Sequence, residues 1–278
     1  MSTQNALLTI LTEKINNDSL ILPTLPAIAL KVRKAADDPE INLNAMADVI
    51  AQDPSLSARM IKISNSAFMG RTVKVSSVGQ AVTRIGLRQI KNIATALAME
   101  QLFVSKNELV AEYLKREWEK TVEIVANSMA ALQCYVARTK KRELALDAAT
   151  LAALVSKIGV LPILTEAERH AEVFANPTFL EDAIDKLSGP IGEKIMKAWG
   201  FADEFTVVAA SWKDLSVLPE TLTYLDFVRV GAAVSGQMGG QKDAVLNLAI
   251  QRGVIAEVSE LDGNEFKEMR DNAKVIFA

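Results

Sequence analysis

The chain has 278 residues, 50% of them apolar, enough to bury a sizeable core and to exclude a disordered or fibrous protein. Its 31 Lys and Arg against 34 Asp and Glu leave a formal charge of -3, which gives no electrostatic drive toward DNA or an anionic membrane. With one His, His170, and one Cys, Cys134, the chain cannot build a tetrahedral zinc site, a His-rich binuclear centre or an intrachain disulfide, and it is expected in a reducing cytoplasm.

Met1 to Asn16 lacks the basic start and apolar stretch of a leader, and no uninterrupted apolar run approaches the roughly 18 residues that span a bilayer. Helix-period apolar spacing recurs almost throughout while alternating strand patterns are scarce, so the chain is predicted to be all-α. Pro23 keeps its segment extended and Pro26 starts a helix. Asp53-Pro54 is a second helix start, an N-cap carboxylate followed by a preset φ. That helix should run to about Asn65 with Leu56, Met60 and Ile63 inward, and Gly70 should open the next loop.

Between Leu87 and Ile158 there is no Gly or Pro, and two long helices are expected there. Leu87, Ile90, Ala94, Leu97 and Ala98 line one face of the first. Val110, Leu114, Trp118, Val125, Met129, Leu132 and Val136 line the second. Arg138, Lys140, Lys141 and Arg142 read as a solvated turn after it. Pro162, Asn176-Pro177, Ser188-Gly189-Pro190 and Gly200 should divide a set of shorter helices. The glycine-rich stretch from Gly236 to Gly240 reads as a hinge between a helix over 221–234 and a terminal helical pair over 243–278.

Catalytic signatures are absent: there is no Gly-x-Ser-x-Gly elbow, no phosphate-cradling Gly-rich loop with its Lys, and no His-Glu-x-x-His helix. His170 has acidic neighbours in Glu166 and Glu168 that favour its protonated form, and it is expected at the surface. Cys134 is expected to be a buried, inert thiol, and Trp118, Trp199 and Trp212 to be core anchors. Glu181, Asp182 and Asp185 could share a helix face. Complementing a helix dipole is their expected role, in preference to weak cation binding.

Leu22-Pro23-x-Leu25-Pro26, Ile50-x-x-Asp53-Pro54-x-Leu56-Ser57, Asn65-Ser66-Ala67 and Ala81-x-x-x-Ile85-Gly86 follow one another in order, and together they resemble the HDOD domain, a relative of the HD metal-dependent phosphohydrolases. The resemblance implies a multi-helical HD/HDOD-like bundle: an N-terminal helix over 1–19, the domain itself over 20–212, and a helical C-terminal portion over 213–278 packed on it. In the catalytic superfamily an adjacent His-Asp pair on one helix binds metal. The corresponding stretch here is Leu151-x-x-Leu154-Val155-Ser156-Lys157-Ile158-Gly159, so Ser156 and Lys157 take the pair's places. Ser188 stands where related sequences carry a further His, and Ser211-Trp212 where a His pair often occurs. A lysine ammonium would repel a metal, and no alternative alignment restores the ligands with one His in the chain.

The resemblance therefore implies a non-catalytic bacterial signalling or regulatory module without a cofactor, whose partner is another signalling protein or a nucleotide second messenger, not DNA or a membrane. The alternative is a divergent phosphohydrolase working through carboxylates, with Glu181, Asp182 and Asp185 expected away from the family site. Among the motif positions Pro23, Pro26, Asp53, Pro54, Asn65, Ser66 and Gly86, a structural role is expected for Asp53 and Pro54, as cap and helix start. Asn65 and Ser66 suit a helix C-terminus, where Asn tolerates left-handed geometry. Arg84, Arg88 and Lys91 share a polar face that could form a recognition surface for an anion or acidic partner.

Overall fold

The computed structural model describes residues 6–66, 69, 73–170 and 177–277, so Ala67, Gly70 and Asn176 of the sequence reading lie outside the described residues. Among the described residues every regular element is helical. The amino-terminal half runs α1 (Ala6–Asn16), α2 (Ala27–Ala36), α3 (Leu43–Ala51), α4 (Pro54–Ser64), α5 (Val78–Ile85) and α6 (Leu87–Ala98). Then come α7 (Glu108–Thr139), α8 (Leu146–Val155), α9 (Val160–Ala167), α10 (Pro177–Ala198) and α11 (Asp203–Ser211). The chain finishes with α12 (Tyr224–Val234), α13 (Lys242–Gln251) and α14 (Asn264–Phe277).

The motif residues of the first half act through the backbone. Asp53 Oδ1 accepts from Leu56 N at 2.9 Å and Pro54 fills the first position of α4. Asp53→Ala is expected to cost about 1 kcal/mol in urea unfolding, the usual worth of such a cap, and an unchanged midpoint would show that Pro54 alone starts the helix. Pro26 caps α2, and the Pro23 carbonyl accepts from Trp199 Nε1 at 2.9 Å, tying this segment to the end of α10. Gly86 turns the chain between α5 and α6 at φ +85°, a conformation only glycine adopts without strain.

Asn65 corrects the sequence expectation. Its backbone is right-handed (φ -97°, ψ -3°), and the side chain does the work. The amide donates to Val75 O at 2.8 Å and accepts from Val75 N at 2.8 Å, closing the loop after α4 as a neighbouring strand would. Ser66 Oγ donates to Ile63 O at 2.6 Å, completing the helix end.

Helix α7, with 32 residues, is the spine. Helices α12 and α14 pack along it, and α8 lies against α7, α6, α11 and α12. The carboxy-terminal helices thus share one apolar core with the rest of the chain. The stretch Leu146–Ala167 is long and apolar enough to cross a membrane, which an uninterrupted-run criterion misses because Asp147, Ser156 and Lys157 punctuate it. Nearly all of it is buried within the protein, packed among the other helices.

One further expectation changes and a second is extended. Ser188-Gly189-Pro190 does not divide helices, because α10 runs through it from Pro177 to Ala198. A Cβ at Gly189 would lie 2.4 Å from Ala210 O, so α11 presses on the helix there, and this packing outweighs the hydrogen bond that Pro190 cannot donate. In the basic cluster, Lys140 ends α7 in a left-handed cap, and all four basic residues are exposed, but Arg138 also makes structural hydrogen bonds. Its Nη2 donates to Gly253 O at 2.9 Å and Val254 O at 3.0 Å, fastening the end of α13 to the spine.

Candidate functional site: a cleft floored by an internal ion pair

Helix α8 ends at Val155, and a tight turn carries the chain into α9, with Ile158 N bonding Val155 O and Val160 N bonding Lys157 O. Ser156 turns inward and its Oγ donates to Ala153 O at 2.7 Å, so it is a structural residue. Lys157 points into a cleft of about 1200 Å³ whose walls come from α7, α10, the end of α11 and the turn after α12.

The Lys157 ammonium is ion-paired with Glu117 Oε2 of α7, the two side chains only 6% and 8% exposed. The other carboxylate oxygen takes Lys120 Nζ at 2.7 Å, and Gln237 Oε1 accepts from Lys157 Nζ at 3.4 Å. Burial pushes the Glu117 carboxyl up, but the two ammoniums outweigh it and hold it below the ordinary carboxylate range. Burial lowers the pKa of Lys157, and Glu117 opposes that shift. One carboxylate therefore lies between two cations at the floor.

Ser188 and Trp212 also line this cleft, so three of the five positions aligned with lost metal ligands converge in space. Ser211 contributes its carbonyl instead. It accepts from Arg229 Nη2 at 3.1 Å, as the Asp214 carbonyl also does, while Trp212 O faces Arg229 Nε at 3.4 Å. Arg229 is buried, with Nη1 unpartnered among the described residues, and it fixes the turn that holds Trp212 in the wall.

Glu181 and Asp185 are a correction. They line the same cleft as Lys157, at its exposed rim, because α10 runs unbroken past Ser188. Asp185 is ion-paired with Lys213, and Asp182 with Lys186 at 2.7 Å. Among the described residues no group of three or more His, Cys, Asp or Glu could hold a metal ion. The donor set does not fit a metal, since the position that the resemblance aligns with a ligand carries a buried ammonium, which already occupies Glu117.

The residues outside the cleft have local work. Arg84 Nη1 donates to Ser64 O at 2.9 Å and its Nη2 to Val73 O, and Lys91 is ion-paired with Asp37, so only Arg88 of the expected recognition face is left to be exposed. His170 Nε2 lies 3.6 Å from Glu166 Oε1, part of a cluster in which Lys14 Nζ binds the same oxygen at 2.6 Å and fastens α1 to α9. Cys134 is buried against Met269, and burial, with Glu265 and Glu260 nearby, raises its thiol to about 11. Trp118 and Trp212 are buried, and Trp118 packs on Phe103 with ring centroids 5.1 Å apart.

The described residues thus form an all-α fold with a cleft floored by a buried Lys157–Glu117 ion pair. The family model of the HDOD domain matches residues 22–215, and the chain belongs to that family. A Shewanella amazonensis SB2B crystal structure, of a protein provisionally named a metal-dependent phosphohydrolase, superposes with a TM-score of 0.94 at 39% identity over 100% of both chains. A Marinobacter aquaeolei VT8 structure, provisionally named a signal transduction protein, superposes with a TM-score of 0.64 at 18% identity, over 99% of this chain and 66% of that one. A curated relative from Treponema pallidum (strain Nichols), called uncharacterized, is 28% identical over 87 residues, 31% of this chain and 17% of that protein.

Proposed function

We propose that this protein is a non-catalytic regulatory module of the bacterial cytoplasm, acting in signalling by recognising another protein or a nucleotide second messenger. The Lys157–Glu117 ion pair supports this reading: it is a buried, neutralised cation at a position that the family resemblance aligns with a metal ligand. Membership in the HDOD family and the signalling name of the Marinobacter neighbour agree with it.

The test is elemental analysis of protein purified without chelator or polyhistidine tag, together with phosphoester hydrolysis in added magnesium and manganese. Substoichiometric metal is expected, with no hydrolysis that responds to Lys157→Met. One tightly held transition metal per chain, or turnover abolished by that substitution, would refute the reading.

The second reading, a divergent phosphohydrolase, draws on the name of the Shewanella relative and on Glu181 and Asp185 lining the cleft. Magnesium accepts oxygen ligands alone, so metal-dependent turnover lost in Glu181→Gln would establish it. The Asp185–Lys213 ion pair and the Lys157 ammonium weigh against it.

A further inference from the structure

The cleft is polarised from floor to rim. At the floor, Lys157 and the half-exposed Lys120, whose Nζ reaches the same carboxylate, stand against the single charge of Glu117, an excess of one positive charge next to a buried group. At the rim, the exposed side chains of Glu181, Asp185 and Asp214 stand with those of Arg116 and the half-buried Lys213, an excess of one negative charge. The ion pair of Asp185 with Lys213 removes one charge of each sign, and Arg116 is paired with Glu112 of its own helix, so Glu181 and Asp214 dominate the entrance.

The wall between is built for close approach. Gly236 and Gly239 have φ of +75° and +51°, and an added Cβ at Gly236, Gly239 or Gly240 would meet nothing within 4 Å. Backbone is thus presented to the open space beside Gln237, whose amide oxygen already reaches Lys157. The cleft, at about 1200 Å³, is somewhat larger than the roughly 300–1,000 Å³ of most small-molecule sites, and it combines apolar surface from Val160, Leu180, Ile184 and Met238 with convergent polar groups.

We propose that this cleft binds a small molecule carrying one oxyanion group and a neutral or cationic body, with the oxyanion at Lys157 and Lys120 and the body toward Glu181 and Asp214. An oxyanion there supplies the second negative charge that two ammoniums lack, and water screens it least on the side of the buried Lys157. Burial destabilises the Lys157 ammonium, which gives it a reason to gain a partner. A polyanion meets the rim carboxylates and is rejected. The glycine turn, linked to the floor through Gln237, is the part of the chain placed to report occupancy. This inference rests on the non-catalytic reading of the cleft.

The experiment is calorimetric titration of the full chain, with amide spectra, using phosphoethanolamine, inorganic phosphate and tripolyphosphate, each without divalent metal. Saturable binding of phosphoethanolamine, tighter than that of tripolyphosphate, with shifts at Gly236, Gly239 and Gly240, is expected. Lys120→Met, which removes a half-exposed cation and leaves the buried pair in place, should weaken it about 10-fold, as for loss of a charge-assisted hydrogen bond. Glu181→Gln should narrow the preference over tripolyphosphate. No binding at millimolar ligand, or tighter binding of tripolyphosphate, overturns the proposal and leaves the regulatory reading standing. Binding that requires magnesium, or hydrolysis of the probe, overturns both.

Discussion

Glu117→Gln is expected to lower folding stability by about 3–5 kcal/mol, the cost of leaving one partner of a buried ion pair unmatched. Among the described residues the carboxylate is the group that neutralises Lys157 at close range, since Gln237 offers a long hydrogen bond and Lys120 adds like charge. Removing both charges should behave differently: Glu117→Leu with Lys157→Met is expected to recover most of the loss, because well-packed apolar residues replace a buried pair at little or no cost. Urea unfolding of the single and double variants gives the coupling directly. Equal losses in both would mean that packing, not charge, holds the site together.

The pH dependence separates these cases by sign. In the native protein the Glu117 pKa is depressed, so its contribution is present above the unfolded carboxylate value of about 4.3 and lost as pH falls through the folded value. In Glu117→Gln the Lys157 pKa, already lowered by burial, loses the group that opposes the shift. Its folded value then lies further below the unfolded value of about 10.4 than in the native protein, so the variant gains stability as pH rises between the two. Thermal unfolding should show the variant recovering toward alkaline pH, with a steeper rise than the native protein. A variant whose deficit stays constant with pH would show that Lys157 is hydrated in spite of its burial.

The fold class and several helix ends were legible because they rest on local chemistry. Asp53-Pro54 specifies a cap and a fixed φ within two residues, and the apolar spacing from Val110 to Leu132 marks one face of α7 without reference to any partner. What could not be read was set by contacts distant in sequence. Pro190 looks like a helix end until α11 is seen pressing on Gly189, and nothing near the exposed Arg138 in sequence announces the Gly253 and Val254 carbonyls that it binds. The site was half legible. Lys157 stood out as a cation in a ligand position, whereas its carboxylate, 40 residues earlier by number, carried only a faint signal: Glu117 falls three residues after Leu114 on the apolar stripe of α7, where a charged residue calls for a partner. Nothing in the order of residues connects it, or Gln237, to Lys157.

Gly159→Ala is expected to cost about 3 kcal/mol, at the upper end for overpacking, although it adds a single methyl group. The backbone of Gly159 is ordinary, with φ -67° and ψ -10°, so conformational freedom is not the reason for a glycine there. Space is the reason. A Cβ would stand 1.9 Å from Ser188 O and 2.7 Å from Gly192 N, both main-chain atoms of α10, which cannot yield by changing a rotamer. The turn that carries Lys157 is thereby held directly against the helix that carries Ser188, so separating them also moves the ammonium relative to Glu117 and widens the cleft. Gly79 in α5 supplies the control, because a Cβ there meets nothing within 4 Å, and Gly79→Ala should be neutral or stabilising by up to about 1 kcal/mol. If Gly159→Ala instead stabilises the protein to the same degree, the close approach of the two backbones is wrong, and with it the placement of Lys157 at the cleft floor.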